Sequence, residues 1–307
     1  MAEVITEQKV LVYGATGSQA KPVATKLLEA GRSVRVVTRD PGKAGDLERA
    51  GAEVLEGDMA DLERLKEVSA GVDAVFLLIP FFTQGPTDGV TYGKNAIDAA
   101  KAAGVDLLVW NTSGEIPPQR SGNSGFDVRL DVLEHLEASG LPHVVLQPTA
   151  YMENFLGPWT RSEIAEEDVF AYPTPDAVQM QWVATDDVAS FAVYALEHPE
   201  LADLNVKVCG PERLNGTGVA ERFSRGLGRE VTFRAMPASE FGEKIDAVFP
   251  GMGESAAQGY AAAYEYPEMF SSNVNLDAAL ERMPVELTSL ETWVRQHAEA
   301  FQKQAVK

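Results

Sequence analysis

Short apolar runs alternate with longer amphipathic stretches through the first half of the chain. The apolar runs are typical of β-strands, and the stretches between them carry apolar residues at helical spacing. The predicted strands are 10–13, 33–38, 53–56, 74–80, 105–110 and 143–147. The predicted helices are 21–30, 41–50, 62–70, 89–103 and 124–139. This alternation predicts right-handed βαβ units and a doubly wound parallel sheet, which is an α/β fold.

A glycine-rich turn joins the first predicted strand to the first predicted helix. Residues 14–20 read GATGSQA, which is G-x-x-G-x-x-A spacing. Gly14 lets the chain reverse tightly, Gly17 removes a side chain where backbone would meet a pyrophosphate, and Ala20 lets the helix pack closely on the strand. The helix N-terminus offers N–H donors and the positive end of its dipole to phosphate. The turn and its two flanking strands therefore predict a dinucleotide-binding Rossmann unit.

The end of the second predicted strand indicates which nicotinamide dinucleotide is bound. Arg39 lies about 20 positions after the turn, where an acid is typical of NAD sites and an arginine accommodates the 2′-phosphate of NADP. Asp40 offers an alternative, because its carboxylate suits the ribose hydroxyls. We take Arg39 as the residue that recognises the 2′-phosphate and expect NADP(H).

Further candidate residues follow the third and fourth predicted strands. Asp58 either accepts a hydrogen bond from an adenine amino group, with Met59 covering the ring, or caps the next helix. Pro80 ends the apolar run 74–80. Phe81 and Phe82, in the loop after it, are placed to wall an apolar pocket beside a nicotinamide.

The regular alternation ends after residue 155. We expect 181–188 to return to the sheet and lead into a helix ending near 198, 205–209 to add a strand, and 290–301 to form a closing amphipathic helix. The predicted organisation is a nucleotide-binding Rossmann domain over 1–155, with its sheet completed by about 180–210. A smaller α+β lobe over 156–180 and 210–307 is predicted to cover the substrate.

Composition excludes several classes of function. The 307 residues are 45% hydrophobic and include 46 acidic and 26 basic side chains, for a formal net charge of −20. This charge repels nucleic acid and anionic membranes, so neither is expected as a partner. Cys209 is the single cysteine, which excludes an intrachain disulfide and favours a reducing cytoplasm. No targeting signal, membrane-spanning stretch or metal-ligand spacing is apparent, so we expect a cytoplasmic protein without a metal.

Several motifs together resemble a known family. They are the 14–20 turn, TRDP at 38–41, LEASGLP at 136–142 and PTAYMENF at 148–155. With them the chain resembles the NmrA-like family, atypical members of the short-chain dehydrogenase/reductase superfamily, over nearly its whole length. The resemblance implies a Rossmann domain with NADP(H) bound at Gly14, Thr16, Gly17, Gln19, Arg39 and Asp58, and a small C-terminal lobe. The family usually has Gly where this chain has Ala20. The full set of candidate cofactor-binding residues is Gly14, Thr16, Gly17, Ser18, Gln19, Arg39, Asp58, Met59 and Pro80.

The catalytic pair of the wider superfamily is absent. Typical members reduce ketones with Tyr-x-x-x-Lys, and that spacing falls here on Phe126 and Leu130, neither of which can donate a proton. Arg129 would supply positive charge there only if the register slipped by one. Ketone reduction creates an alkoxide that needs a proton and an electrostatic partner. A quinone or a resonance-stabilised cation takes up hydride more readily, because the incoming charge is delocalised or neutralised.

Three polar residues remain as candidates for catalysis. Thr112 and Ser113 follow the strand 105–110 and either bond a substrate oxygen or cap their own turn. Tyr151 is a candidate proton donor from a different position, or else a pocket wall. The candidate substrate pocket comprises Phe81, Phe82, Phe126 and Tyr151.

Three functions are compatible with this sequence. The first is an NADPH-dependent reductase of a quinone-like or conjugated apolar molecule, working by direct hydride transfer without a Tyr-Lys dyad. The second is a non-catalytic NADP(H) sensor that binds a protein partner, and the third is a non-redox biosynthetic enzyme that reuses the pocket. The sequence leaves a homodimer or a protein partner open.

Overall fold

The structure, a computed structural model, describes residues 8–80, 86–120 and 124–303. Its strands are β1 (Lys9–Tyr13), β2 (Ser33–Thr38), β3 (Glu53–Glu56), β4 (Ala74–Leu78), β5 (Leu107–Asn111), β6 (His143–Pro148), β7 (Ala150–Tyr151), β8 (Val169–Tyr172), β9 (Met180–Val183), β10 (Leu204–Val208), β11 (Arg213–Leu214) and β12 (Thr232–Ala235).

The helices begin and end as follows. They are α1 (Lys21–Glu29), α2 (Gly45–Arg49), α3 (Leu62–Ser69), α4 (Pro86–Ala103), α5 (Ser124–Ser139), α6 (Pro158–Glu167), α7 (Thr185–Glu197), α8 (Gly216–Leu227), α9 (Ala238–Asp246), α10 (Gly253–Glu265), α11 (Pro267–Phe270), α12 (Leu276–Arg282) and α13 (Leu290–Gln296). Short 3₁₀ segments lie at Pro41–Ala44, Met152–Leu156, Pro199–Leu201 and Ala298–Phe301. Within the described ranges, no helix combines the length and the apolar character that a membrane span requires.

The chain divides into two compact units. The first comprises Met1–Pro148, Thr185–Val208 and Ala278–Glu286. The second comprises Thr149–Ala184, Cys209–Asp277 and Leu287–Lys307.

The first unit is built on a seven-stranded sheet in the order β10-β6-β5-β4-β1-β2-β3. All neighbouring strands in it are parallel. This is the Rossmann strand order with one added edge strand, so the predicted α/β fold is confirmed. Because the strand order reverses between β1 and β4, the crevice at their carboxyl ends is where such folds bind ligands.

Both faces of this sheet are covered. Leu11 and Tyr13 of β1 contribute to a core cluster that also contains residues of α3, α4 and α5. Val10 and Val12 alternate with them and are equally buried on the opposite face. Burial on both faces explains why the strand sequences are continuously apolar rather than alternating.

Three predictions about individual elements are wrong. The single closing helix predicted at 290–301 is α13 followed by the 3₁₀ segment Ala298–Phe301. The segment starting at Gln181 does not join the main sheet, because β10 occupies the edge beside β6, and β9 pairs instead with β7 and β11. The single helix predicted at 41–50 is split into a 3₁₀ segment and α2. Asp40 caps the 3₁₀ segment, because its Oδ1 accepts a hydrogen bond from the Gly42 N–H at 3.1 Å.

The second unit contains two smaller sheets, β11-β9-β7 and the parallel pair β12-β8. Its core is strongly aromatic. Phe155 lies at the centre, with its ring centroid 4.4 Å from that of Trp182. Three further rings lie somewhat farther away, at 5.5 Å for Phe170, 5.4 Å for Phe223 and 6.0 Å for Trp293.

Candidate functional site

The glycine-rich turn between β1 and α1 is the centre of the candidate site. Gly14 has a φ of +75°, a backbone conformation that favours glycine, and the Gly17 N–H donates to its carbonyl at 2.9 Å. The Lys21 N–H bonds the Gly17 carbonyl at 3.0 Å and so starts α1. Ala20 is fully buried, as a helix packed closely on the sheet requires.

The turn leaves backbone donors open. Within the described residues, the N–H groups of Ser18, Gln19 and Ala20 donate no hydrogen bond to protein, and no side chain caps α1. A Cβ placed on Gly17 would meet one protein atom within 4 Å, the Gly14 carbonyl oxygen at 3.4 Å. Protein packing therefore does not require glycine at position 17, whereas a ligand that came close to the backbone there would require it.

A cleft of about 300 Å³ lies beside this turn, at the carboxyl ends of β1, β2, β3 and β4. It is lined by Tyr13, Gly14, Thr16, Gly17, Val37, Thr38, Arg39, Gly57, Asp58, Met59, Leu78, Pro80 and Tyr92. The structure thus brings seven of the nine candidate cofactor residues together. Ser18 lies instead in a neighbouring groove along α1, and Gln19 points toward the loop after β5.

Arg39 is available for an external anion. It is exposed, and within the described residues it forms no hydrogen bond or ion pair with another side chain. It also lines a second, more open cavity with Glu56, Gly57, Asp58, Asp61 and Arg64. The Asp40 carboxylate already accepts the Gly42 N–H. This geometry favours Arg39 over Asp40 as the residue that reads the nucleotide, and its role stays a prediction.

Asp58 is not the cap of α3. That cap is Asp61, whose Oδ1 accepts from the Arg64 N–H at 3.0 Å, while Asp58 Oδ1 accepts from the Ala60 N–H at 2.9 Å in the preceding turn. Each carboxylate keeps an oxygen that is not used in these bonds. Since Asp58 lines both cavities, the alternative in which it contacts the nucleotide is the one the geometry favours.

Tyr92 on α4 is a lining residue that sequence reasoning missed. Only 6% of it is exposed. Burial, followed by the charges of Asp58 and Asp88, raises the pKa of its phenol, so the ring stays neutral at ordinary pH. Its position on a helix rather than at a strand end explains why no motif indicated it.

The loop after β5 is held from several directions. We call residues 112–114 the strap. Thr112 is fully buried, and its hydroxyl lies within hydrogen-bond distance of the Gly114 and Leu146 carbonyls. Of the two interpretations of Thr112, this geometry favours the one in which it holds its own turn. Ser113 is half-buried, and its Oγ accepts a hydrogen bond from Gln19 Nε2 at 2.9 Å.

The helix α5 contributes Arg129 to the strap. Its Nε donates to the Thr112 carbonyl at 2.8 Å and its Nη2 to the Ser113 carbonyl at 3.2 Å, and only 5% of the residue is exposed. A positive group therefore reaches the end of β5 without the slip of register that the sequence argument required. Leu130, one position on, packs against the core cluster.

The remaining candidates are not brought to this cleft by the described structure. Phe81, Phe82 and the side chain of Phe126 lie outside the described residues. Tyr151 lies on β7 in the second unit, where it pairs with Val183 and is 7% exposed. Among the described side chains, no group of three or more His, Cys, Asp or Glu residues is arranged to hold a metal ion.

Comparison with known proteins gives the family. A model of the NmrA-like family matches residues 6–294. The chain belongs to the NmrA-like family. This confirms the resemblance noted in the sequence.

Characterised relatives cover most of the chain. It is 29% identical over 255 residues to an NAD(P)H azoreductase of Xenophilus azovorans, covering 83% of this chain and 86% of the relative. It is 27% identical over 294 residues to a (4-alkanoyl-5-oxo-2,5-dihydrofuran-3-yl)methyl phosphate reductase of Streptomyces griseus, covering 95% and 99%. The fold matches a triphenylmethane reductase of Citrobacter sp. crystallised with NADP(H), with a TM-score of 0.79, 20% identity and coverage of 94% and 99%.

Proposed function

We propose that this NmrA-like protein is an NADPH-dependent reductase of quinone-like or conjugated apolar molecules. The observation that carries the proposal is the cleft beside the β1–α1 turn, which Gly14, Gly17 and Arg39 line at the switch point of the sheet. Within the described residues Arg39 forms no ion pair. The relatives add support, since those named above are an azoreductase and two further reductases.

The residues present fit NADPH. The N–H groups of Ser18, Gln19 and Ala20 would bind pyrophosphate, with Gly17 leaving room for it. Arg39 would bind the 2′-phosphate, and Asp58 the adenine. The Gln19 Oε1 atom is buried and has no hydrogen-bond partner within the described residues, which suits a donor from the bound cofactor.

The choice of acceptor follows from what the chain lacks. NADPH, when bound, supplies a hydride from its nicotinamide ring. Leu130 cannot serve as the lysine of the superfamily pair, so the protein has no dyad at that position to give an alkoxide its proton. Acceptors that delocalise or neutralise the added charge do not need one. The protein then has to position the two reactants and exclude water.

The test is oxidation of NADPH, followed at 340 nm, with a panel of quinones, azo dyes and triarylmethane dyes, together with simple ketones as negative controls. We expect turnover with members of the first three classes and none with the ketones. Gly17→Asp places a carboxylate where phosphate would bind and should abolish both turnover and NADPH binding. Arg49→Ala, which changes an exposed arginine on α2 outside the cleft, is the matched control. A wild-type protein that binds NADPH but reduces none of the panel would contradict the proposal.

A further inference from the structure

The turn after β3 is joined to helix α4 by the side chain of Asn95. We call residues 57–60 the β3 turn. We propose that Asn95 is a positioning residue for the β3 turn, so that Asp58 and Met59 keep their places at the adenosine half of the bound nucleotide. This inference rests on the NADPH site of the proposed function, in which Asp58 binds the adenine. It adds a residue that does not itself line the cleft.

The first step is the pair of hydrogen bonds that Asn95 donates. Its Nδ2 lies 2.9 Å from the Met59 carbonyl oxygen and 3.1 Å from that of Ala60. Within the described residues, no backbone N–H donates to either carbonyl. Both partners are acceptors, so a side chain with two N–H donors in one plane suits this position. An aspartate or a leucine in its place could donate neither hydrogen bond.

The second step is that Asn95 lies on a helix that the core holds in place. Ala96 and Ile97, the next two residues of α4, are fully buried and belong to the core cluster that contains Leu11 and Tyr13 of β1. A shift of α4 would disturb this packing, and close-packed cores resist such shifts. The two hydrogen bonds therefore tie the β3 turn to a fixed element.

The third step is that the start of the β3 turn is fixed separately. The Gly57 N–H donates to the Thr38 carbonyl at 3.0 Å. A Cβ on Gly57 would lie 2.7 Å from Val37 Cγ2, so the backbone lies directly against β2 there. The turn thus begins beside the strand that leads to Arg39, and Asn95 holds its other end.

Asp58 and Met59 lie between these two fixed points, and both line the cleft. The bond from the Ala60 N–H to Asp58 Oδ1 lies inside the turn, so it fixes the shape of the turn and not its place. Without Asn95, no hydrogen bond within the described residues would tie the Met59 and Ala60 carbonyls to the rest of the unit. The nucleotide would then have to order the turn as it binds, and this ordering lowers its affinity.

The experiment separates the two halves of the nucleotide. Adenosine 2′,5′-bisphosphate carries the adenine and the 2′-phosphate but no nicotinamide. The readouts are the calorimetric affinities for this compound, for NADPH and for NADH, and kcat for menadione at saturating NADPH. We expect Asn95→Leu to weaken binding of all three compounds about tenfold, because all three contain adenine, and to change kcat less than twofold. Asn95→Ala is a second variant without the two donors, used if the larger apolar side chain prevents folding.

Three comparisons show which part of the nucleotide depends on Asn95. Arg39→Ala should weaken NADPH binding and spare NADH, whereas Asn95→Leu should weaken both by the same factor. In the Asp58→Ala background, Asn95→Leu should lower NADPH affinity less than threefold, because its effect passes through the β3 turn. Gln258→Leu, which removes an exposed amide that bonds Glu254 on α10, is the matched control.

The outcomes separate this inference from the reductase function. If the wild type binds none of the three compounds, the proposed function fails and the inference fails with it. If the wild type binds NADPH but reduces no quinone or dye, the reductase function fails, and the affinities alone decide the role of Asn95. If the wild type binds and oxidises NADPH while both Asn95 variants keep its affinities, the reductase function stands and the inference is overturned. A loss of kcat as large as the loss of affinity, or weaker NADPH binding with NADH binding unchanged, would also overturn it.

Discussion

The two glycines of the β1–α1 turn make a sharp prediction, because the structure gives them different reasons for being glycine. Gly14 has positive φ, and a Cβ there would lie 3.3 Å from Leu78 Cδ2. Gly14→Ala should therefore lower the free energy of unfolding by about 1–2 kcal/mol from the backbone alone. Gly17 is not among the glycines with positive φ, and its closest contact would be an ordinary 3.4 Å. Gly17→Ala should leave the free energy of unfolding within about 0.5 kcal/mol of wild type, because it also restricts the unfolded chain.

Gly17→Ala should weaken NADPH binding strongly, although it hardly changes the free energy of unfolding. Its added methyl group would stand where backbone meets phosphate, so we expect NADPH affinity to fall at least about tenfold, equivalent to 1.4 kcal/mol. The assay is urea unfolding of each variant without nucleotide, beside calorimetric titration with NADPH. The reasoning is refuted if Gly17→Ala binds NADPH as the wild type does, or if it loses more than about 1 kcal/mol of stability.

Three further predictions concern single side chains. Arg39→Ala should weaken NADPH binding about ten- to a hundredfold and leave NADH binding within twofold by calorimetry, with Arg49→Ala as control; equal losses would contradict the role of Arg39. Arg35→Met removes hydrogen bonds to two backbone carbonyls at the end of α3 and to Glu53. It should lower the free energy of unfolding, measured in urea, by about 3 kcal/mol. Arg35 lowers the pKa of Glu53 from its ordinary 4.5, so the pair stabilises the wild type above pH 4.5, and this contribution is lost as the pH falls further. The free energy of unfolding of the variant should therefore change less with pH below about pH 5 than that of the wild type. Burial raises the pKa of Cys209 to about 11, so its thiol should react with Ellman's reagent at pH 8 only after unfolding.

The sheet could be predicted closely because its strands carry local signals. The strands 33–38 and 53–56 were predicted with the bounds that the structure gives them. Each is a short run that contains valine and closely follows a glycine at positive φ, Gly31 or Gly51. The strand-forming residues and the turn-forming glycine therefore indicate the same start of the strand. The segment at Gln181 shows the limit of this reasoning. Its sequence indicates a strand, but which neighbour it pairs with depends on β10, which lies more than 20 positions further along the chain.

The sequence predicts the lining residues of the candidate cleft only where they follow the end of a strand. Gly14, Arg39, Asp58 and Pro80 each follow a strand end, and parallel strands deliver such residues to one edge. Tyr92 reaches the same cleft from the middle of α4, where a tyrosine at helical spacing reads as core. Its place in the cleft lining depends on how α4 packs against the sheet, which cannot be predicted from the local sequence.

Three arginines show what burial adds to a sequence argument. Arg35, Arg39 and Arg129 all lie within or beside apolar segments, and a count of charges treats them alike. Arg35 and Arg129 are at most 9% exposed, and each donates hydrogen bonds to two backbone carbonyls of its own unit. Their guanidinium groups therefore stabilise the fold. Arg39 is exposed beside the cleft and, in the described part of the chain, pairs with no carboxylate. Of the three, Arg39 is the one whose guanidinium can bind a phosphate without breaking a hydrogen bond that the fold needs. The proposal that Arg39 binds the 2′-phosphate of NADPH therefore has a physical basis besides the motif.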